Sequence, residues 1–269
     1  MSYSHRVTAG LIEPVVESPS LPSRALRPKL PPAARPQRAM PLTRRYEASW
    51  LTPDGSVESS TRIAPATPLF EEAFSALARG AVIATEDGPV AVEDLAPGQR
   101  VLTAEGRVET VTWIGSMMIY PSTGAVMSEE PVTLTRITAE AFGQGRPMPD
   151  LVLGPRARLC LRDPRLRRVT GLEAAFVPAR AFVDGVSVIE VTPVSPVSVY
   201  HLVLERQASL RVAGLEVESY HPGEGVEEMI DPRMLSLFVA QFPQITRLRD
   251  FGPQLHPRLT RFEVESLWD

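Results

Sequence analysis

Ala81-Val82-Ile83-Ala84-Thr85-Glu86-Asp87-Gly88-Pro89-Val90-Ala91-Val92 decides the fold class. Two short apolar runs flank an acidic break ending in Gly-Pro, which reads as strand, turn, strand. A helix would not carry that Gly-Pro pair in its interior. The same grammar repeats outward. Gly98 precedes Val101-Leu102-Thr103, Ala104-Glu105-Gly106 makes a hairpin turn, and residues 108–114 alternate in the manner of a strand. Further strand-like runs fall at 132–137, 151–153, 159–161, 186–191, 197–204 and 210–216. Many short strands with frequent turn signals indicate an all-β module and not a parallel α/β sheet. One brief helix is expected within it, at Pro178-Ala179-Arg180-Ala181-Phe182.

The flanks read differently. Before the module, Glu47-Ala48-Ser49-Trp50-Leu51, a turn at Pro53-Asp54-Gly55-Ser56, and Val57 suggest two short strands, followed by a linker, over 46–69. Phe70, Phe74 and Leu77 then share one face at helical spacing, which predicts a helix over 69–77 ending near Gly80. After the module, over 224–269, Asp231 is placed to cap a helix with Pro232 at its first position. Met234, Leu235, Leu237, Phe238 and Phe242 supply its apolar stripe and Pro243 stops it; residues 251–269 are expected to pack over the module or stay mobile.

Composition bounds the function classes. The chain has 269 residues, 43% hydrophobic and 22% charged, close to globular averages, so it is not disordered as a whole. Its 27 prolines are about twice the usual share, and they crowd the first 45 residues. There, eight basic residues face only Glu13 and Glu17, and few large apolar groups are present to offset chain entropy. Residues 1–45 are therefore expected to be a disordered arm. The formal charge of −4 argues against a dedicated nucleic-acid binder. With the arm set aside the remainder carries −10, so the arm, or the Arg156–Arg168 loop, is the candidate surface for a protein partner.

Cys160 is the single cysteine, which excludes an internal disulfide and any cysteine-based metal cage. The four histidines (His5, His201, His221 and His256) form no close pair in sequence, so no metal and no cofactor is expected. No run of about 18 apolar residues exists, so no membrane helix is expected. Val7-Thr8-Ala9-Gly10-Leu11-Ile12 before Glu13 is too short and polar for a signal peptide. A cytoplasmic location is the expectation, with export by another route left open.

A set of matching stretches from about 76 to 223 resembles the Hint (hedgehog/intein) family, in particular its bacterial members that are not classical inteins. They are Ala76 to Thr85, Val90-Ala91-Val92-Glu93-Asp94-Leu95 with Pro97-Gly98, Val101-Leu102-Thr103, Trp113-Ile114-Gly115, Leu151-Val152-Leu153-Gly154-Pro155, Val177-Pro178-Ala179-Arg180, Tyr200-His201-Leu202 and residues 214–220. The resemblance implies a pseudo-twofold β-horseshoe over 70–223 and a self-processing reaction. In such members a cysteine or serine at the start of the module attacks the preceding carbonyl. A histidine in a Thr-x-x-His block protonates the departing nitrogen, and in splicing members an asparagine at the end cyclises.

This chain departs from that pattern at every reactive position. Ala76 stands where the nucleophile belongs, and Gly154-Pro155-Arg156-Ala157 replaces the Thr-x-x-His block. Gln207 follows Glu205-Arg206 where the family often has a second histidine, and the chain contains no asparagine. The expectation is a degenerate Hint module, a pseudoenzyme acting in structure or protein interaction. The alternative is a self-cleaving domain that uses a displaced nucleophile, Ser75, with His201 as surviving acid. Ser75 reads more simply as a polar residue on the packed helix, His201 as a half-buried strand histidine satisfied by a backbone carbonyl, and Cys160 as a buried inert thiol.

Overall fold

The computed structural model describes residues 42–121 and 132–267. Most of the expected N-terminal arm, residues 1–41, lies outside the described residues. Its C-terminal boundary needs correction, because Thr43, Arg44 and Arg45 already belong to a strand. The reason is local pairing: the Arg44 guanidinium meets the Glu71 carboxylate at 2.9 Å and donates to the Met118 carbonyl at 3.2 Å.

Among the described residues fifteen strands follow in chain order. They are β1 (Thr43–Leu51), β2 (Val57–Pro65), β3 (Leu77–Ala78), β4 (Val82–Thr85), β5 (Gly88–Ala91), β6 (Arg100–Leu102), β7 (Val108–Ile119) and β8 (Leu134–Ile137). The series continues with β9 (Leu151–Leu153), β10 (Arg158–Arg162), β11 (Ala174–Pro178), β12 (Val188–Val191), β13 (Val197–Leu204), β14 (Ser209–Val212) and β15 (Leu215–Glu218). All the pairings between them are antiparallel, so the all-β reading holds. The turn Glu86-Asp87 joins β4 to β5, with Gly88 and Pro89 already paired in β5 and not in the turn as the sequence suggests, and the turn at Ala104-Glu105-Gly106 joins β6 to β7.

β7 is the spine. It pairs with β6 near its start, and with β1 and β13 along its later half. The hairpin of β1 and β2 is thus continuous with the module's own sheet. One aliphatic core lies around Leu77, Ile83, Val101, Val111, Leu153, Leu202 and Leu210. A second, aromatic core gathers Tyr46, Phe70, Phe74, Trp113, Tyr220, Phe238 and Phe242. Gly115 on β7 permits the close packing there, since a Cβ at that position would meet the Trp113 ring at 2.1 Å and Phe74 at 2.6 Å.

The helix expected over 69–77 is cut short. Helical structure spans only Pro68–Glu72, and Leu77 is already in β3. Helical spacing of Phe70 and Phe74 buries both rings, but tertiary pairing of the following residues with β13 and β9 overrides the periodicity. The short helix expected near 178–182 is a single 3-10 turn, Ala179–Phe182. A further 3-10 turn, Val92–Asp94, and a short helix, Arg167–Thr170, also interrupt the strands.

At the C-terminal end the helix Pro232–Val239 starts as expected. The Asp231 carboxylate accepts from the Arg233 and Met234 backbone N–H groups at 2.8 and 3.2 Å. Beyond it, Phe242 stacks on Tyr220 with ring centres 5.5 Å apart and sits 4.8 Å from the Trp113 ring. The Trp113 indole N–H donates to the Gln241 carbonyl at 2.9 Å. Residues after 250 also pack: Phe176 exchanges backbone bonds with Pro257 and Leu259. Phe242→Ala is expected to cost about 3–5 kcal/mol of unfolding free energy, as for other large buried aromatics, measurable by urea denaturation.

Candidate functional site

The segment that carries the expected reactive position is held on both sides. The Ala76 N–H donates to the Tyr200 carbonyl in β13 at 2.9 Å, and the Ala76 carbonyl accepts from the Gly154 N–H at 2.7 Å. One residue earlier, the Ser75 carbonyl accepts from the Arg156 N–H at 3.1 Å. Three separate stretches of sequence, Ser75 to Leu77, Gly154 to Ala157 and the middle of β13, therefore meet at one place. Ala76 and Ala157 both lie in the aliphatic core, 0% and 2% exposed.

Gly154 makes the approach possible. A Cβ there would stand 2.2 Å from the Ser75 oxygen and 2.7 Å from the Ser75 carbonyl carbon, both backbone atoms. No side chain larger than hydrogen fits without moving one of the two segments. The Ser75 hydroxyl points away from this junction. It is fully buried and donates to the Glu71 carbonyl at 2.6 Å. The same carbonyl also accepts from the Phe74 N–H at 3.1 Å, so two donors from the following residues converge on the end of the helix Pro68–Glu72.

Gln207 is buried and used at both ends of its amide. Its Nε2 donates to the Glu218 carboxylate at 2.9 Å, and its Oε1 accepts from the Leu255 backbone N–H at 2.6 Å. Around it lies a cluster that sequence reasoning missed. Glu72 meets Arg158 at 2.5 Å and Arg258 at 3.3 Å, while Glu218, 1% exposed, meets Arg258 at 2.9 Å and Arg158 at 3.5 Å. Burial pushes the Glu72 carboxyl up, but the two guanidinium groups outweigh it and hold the group below its ordinary value. For Glu218, burial wins over the same arginines and the carboxyl is raised. No spacing in the sequence joins residues 72, 158, 218 and 258, so only folding could reveal the cluster.

His201 is fully enclosed beside this cluster. Its Nδ1 lies 2.8 Å from the Glu72 carbonyl and its Nε2 3.3 Å from the Glu218 carbonyl. Both neighbours only accept, and a neutral imidazole has one N–H to give; the shorter distance assigns the proton to Nδ1. The sequence expectation of a carbonyl-satisfied strand histidine holds for the hydrogen bond, although the ring is buried and not half-buried.

The remaining candidates are dispersed. Cys160 is only partly buried, a correction to the expected buried thiol; it lines a cavity of about 240 Å³ with Phe142 and Phe182. Burial still pushes its thiol up to about 11, which keeps it protonated at neutral pH. His221 is tied to the Gly252 carbonyl and the Gly223 N–H, each at 3.0 Å. His256 packs on the Phe176 ring, and His5 lies outside the described residues. Among the described residues no group of three His, Cys, Asp or Glu side chains is placed to hold a metal ion. The expected Arg156–Arg168 loop is largely regular structure, β10 followed by a 3-10 turn and the start of the helix Arg167–Thr170, and in it Arg158, Arg162, Arg165 and Arg167 are ion-paired with Glu72, Glu216, Asp163 and Glu173 at 2.5–3.0 Å.

Comparison with known proteins adds the following. The family model described as the Hint domain matches residues 75–224, more than half of the chain. A bacterial intein-like domain from Clostridium thermocellum is similar at 15% identity, covering 55% of this chain and 99% of that one, with a TM-score of 0.37. The MchDnaB-1 intein is similar at 14% identity, covering 54% and 99%, with a TM-score of 0.32. No curated protein matches the chain.

The enclosure of His201 sets a pH response. Burial pushes its imidazole down to about 4, against hydrogen bonds to the Glu72 and Glu218 carbonyls that favour the proton. Between that value and the ordinary value near ~6.5 the unfolded chain binds a proton that the folded chain refuses, so stability falls as pH drops through this window. His201→Gln is expected to lose less stability than the parent between pH values of about 6.5 and 4. Urea titrations at a series of pH values check this; parallel pH profiles for both chains would contradict it.

Proposed function

The chain belongs to the Hint-domain family, and from that premise we propose that its module is catalytically silent and serves as a structural or protein-interaction domain. The observation that carries the reading is the closed approach at Gly154. The resemblance places a threonine there, yet a Cβ at this position would stand 2.2 Å from the Ser75 oxygen. Backbone occupies the space in which a reacting group would have to move.

The other reactive positions support the same conclusion. The methyl of Ala76 has no lone pair to attack the Ser75 carbonyl, and the methyl of Ala157 has no proton to give the departing nitrogen. Gln207 holds the Glu218 carboxylate and the Leu255 N–H, a role in packing and not in proton transfer. Self-cleavage through Ser75 finds little support. Its hydroxyl is committed to the Glu71 carbonyl, and the His201 proton faces the Glu72 carbonyl. For the partner, the arginines of the Arg156–Arg168 loop are largely paired within the chain, so the basic N-terminal arm is the better candidate to meet an acidic protein surface.

Intact-mass spectrometry of the purified chain tests the proposal. A single species of 29.5 kDa is expected in reducing buffer and in hydroxylamine. A pair of fragments meeting at residues 74–76, abolished by Ser75→Ala, would overturn it in favour of a self-cleaving domain.

A further inference from the structure

β2 lies outside the residues matched by the family model, and it is a nine-residue edge strand whose only strand partner among the described residues is β1. Natural proteins rarely leave so long an edge unprotected, because its free N–H and C=O groups template pairing with another chain. The usual protections are weak here. Pro65 stands only at the last position, and the strand carries no lysine.

The phase of the ladder shows which backbone groups are free. The bonds Ala66 N–H to Leu42 O at 2.8 Å and Thr52 N–H to Ser56 O at 2.9 Å bracket the β1–β2 register. By alternation, the even-numbered residues of β2 exchange hydrogen bonds with β1. Val57, Ser59, Thr61 and Ile63 therefore turn their N–H and C=O groups outward. The same four residues share one face, and Val57 and Ile63 are large apolar side chains left 51% and 75% exposed.

We propose that β2 is a homodimer edge, pairing antiparallel with β2 of a second copy about a two-fold axis through Ser60. This register uses all four outward-facing residues: Val57 opposes Ile63 of the partner, and Ser59 opposes Thr61, as hydrogen-bonded pairs. On the other face Glu58 opposes Arg62, twice by symmetry, and both side chains are exposed at the edge. Opposite charges and apolar pairs set directly across from each other stabilise antiparallel strands, and like charges there destabilise them. Neighbouring registers lose this complementarity. A centre at Glu58 or at Arg62 sets like charges face to face, and a centre at Thr61 brings in Pro65, which has no N–H to give. The occupant is thus a second copy of this strand, since its own sequence supplies the complement in an isologous contact.

Sedimentation velocity of the full chain from about 1 to about 100 μM tests the inference. A concentration-dependent dimer is expected. Glu58→Arg and Arg62→Glu should each weaken it at least about tenfold, because both symmetric pairs become repulsive. Mixing the two variants should restore dimer, since a doubly basic strand then faces a doubly acidic one. Thr61→Pro, which deletes an outward N–H and leaves the β1 ladder intact, should give monomer; unchanged melting temperatures for the two charge variants confirm that they fold. A wild-type monomer throughout, a dimer indifferent to these substitutions, or a mixture that stays monomeric would each overturn the proposal.

Discussion

A peptide carbonyl with no room for a methyl group beside it, Ser75 O against Gly154, is the constraint on which the rest of the molecule depends. It brings the chain before β3 between Gly154 and the middle of β13, and the two backbone bonds of Ala76 lock that position. From this junction β13 reaches β7, and β7 in turn reaches β1. The sequence meets the constraint with its smallest residues, Gly154, Ala76 and Ala157. These are the same positions at which the proposed loss of nucleophile and acid falls, so the proposal ties close packing and silent chemistry to one set of small residues.

The segments that follow the module complete its closure. Phe238, Phe242 and Phe251 fill the aromatic core, and Arg258 reaches Glu72 and Glu218 inside. One buried and one half-buried carboxylate with a pair of half-buried guanidinium groups are not by themselves a strong source of stability, because desolvation offsets much of the attraction. Removing Arg258 would leave the buried Glu218 and the half-buried Glu72 with only Arg158 between them. Gln207 and His201 sit at the rim of this cluster and take their orientations from it.

Much of this is legible in the sequence, for reasons that differ by element. Short-range chemistry speaks plainly: the break between β4 and β5, the turn after Ala104 and the Asp231-Pro232 helix start fall where their residue types place them, although the first turn is made by Glu86-Asp87 alone. Periodicity misleads where a long-range partner outweighs it. Phe70, Phe74 and Leu77 have helical spacing, yet Leu77 is drawn into β3 by strands more than seventy residues away in sequence. β1 begins earlier than composition suggests because arginine density hides the alternation of Arg44, Tyr46, Ala48 and Trp50, whose side chains face inward along the strand. The convergence of residues 75–77, 154–157 and 200 is readable only through the family resemblance, and the His201 ring lies apart from it, against the Glu72 and Glu218 carbonyls. The ionic cluster of Glu72, Arg158, Glu218 and Arg258 has no local signature at all.

The central claim is that the place where a Hint domain would react is welded shut by backbone hydrogen bonds. Native-state hydrogen exchange of the Ala76, Gly154 and Arg156 amides, followed by NMR, tests it most directly. The account requires these three amides to exchange only through global unfolding, with protection equal to that of the most protected amides in β7 and β13. Exchange orders of magnitude faster at these three positions, while β7 and β13 remain protected, would show a site that opens on its own and would contradict the account.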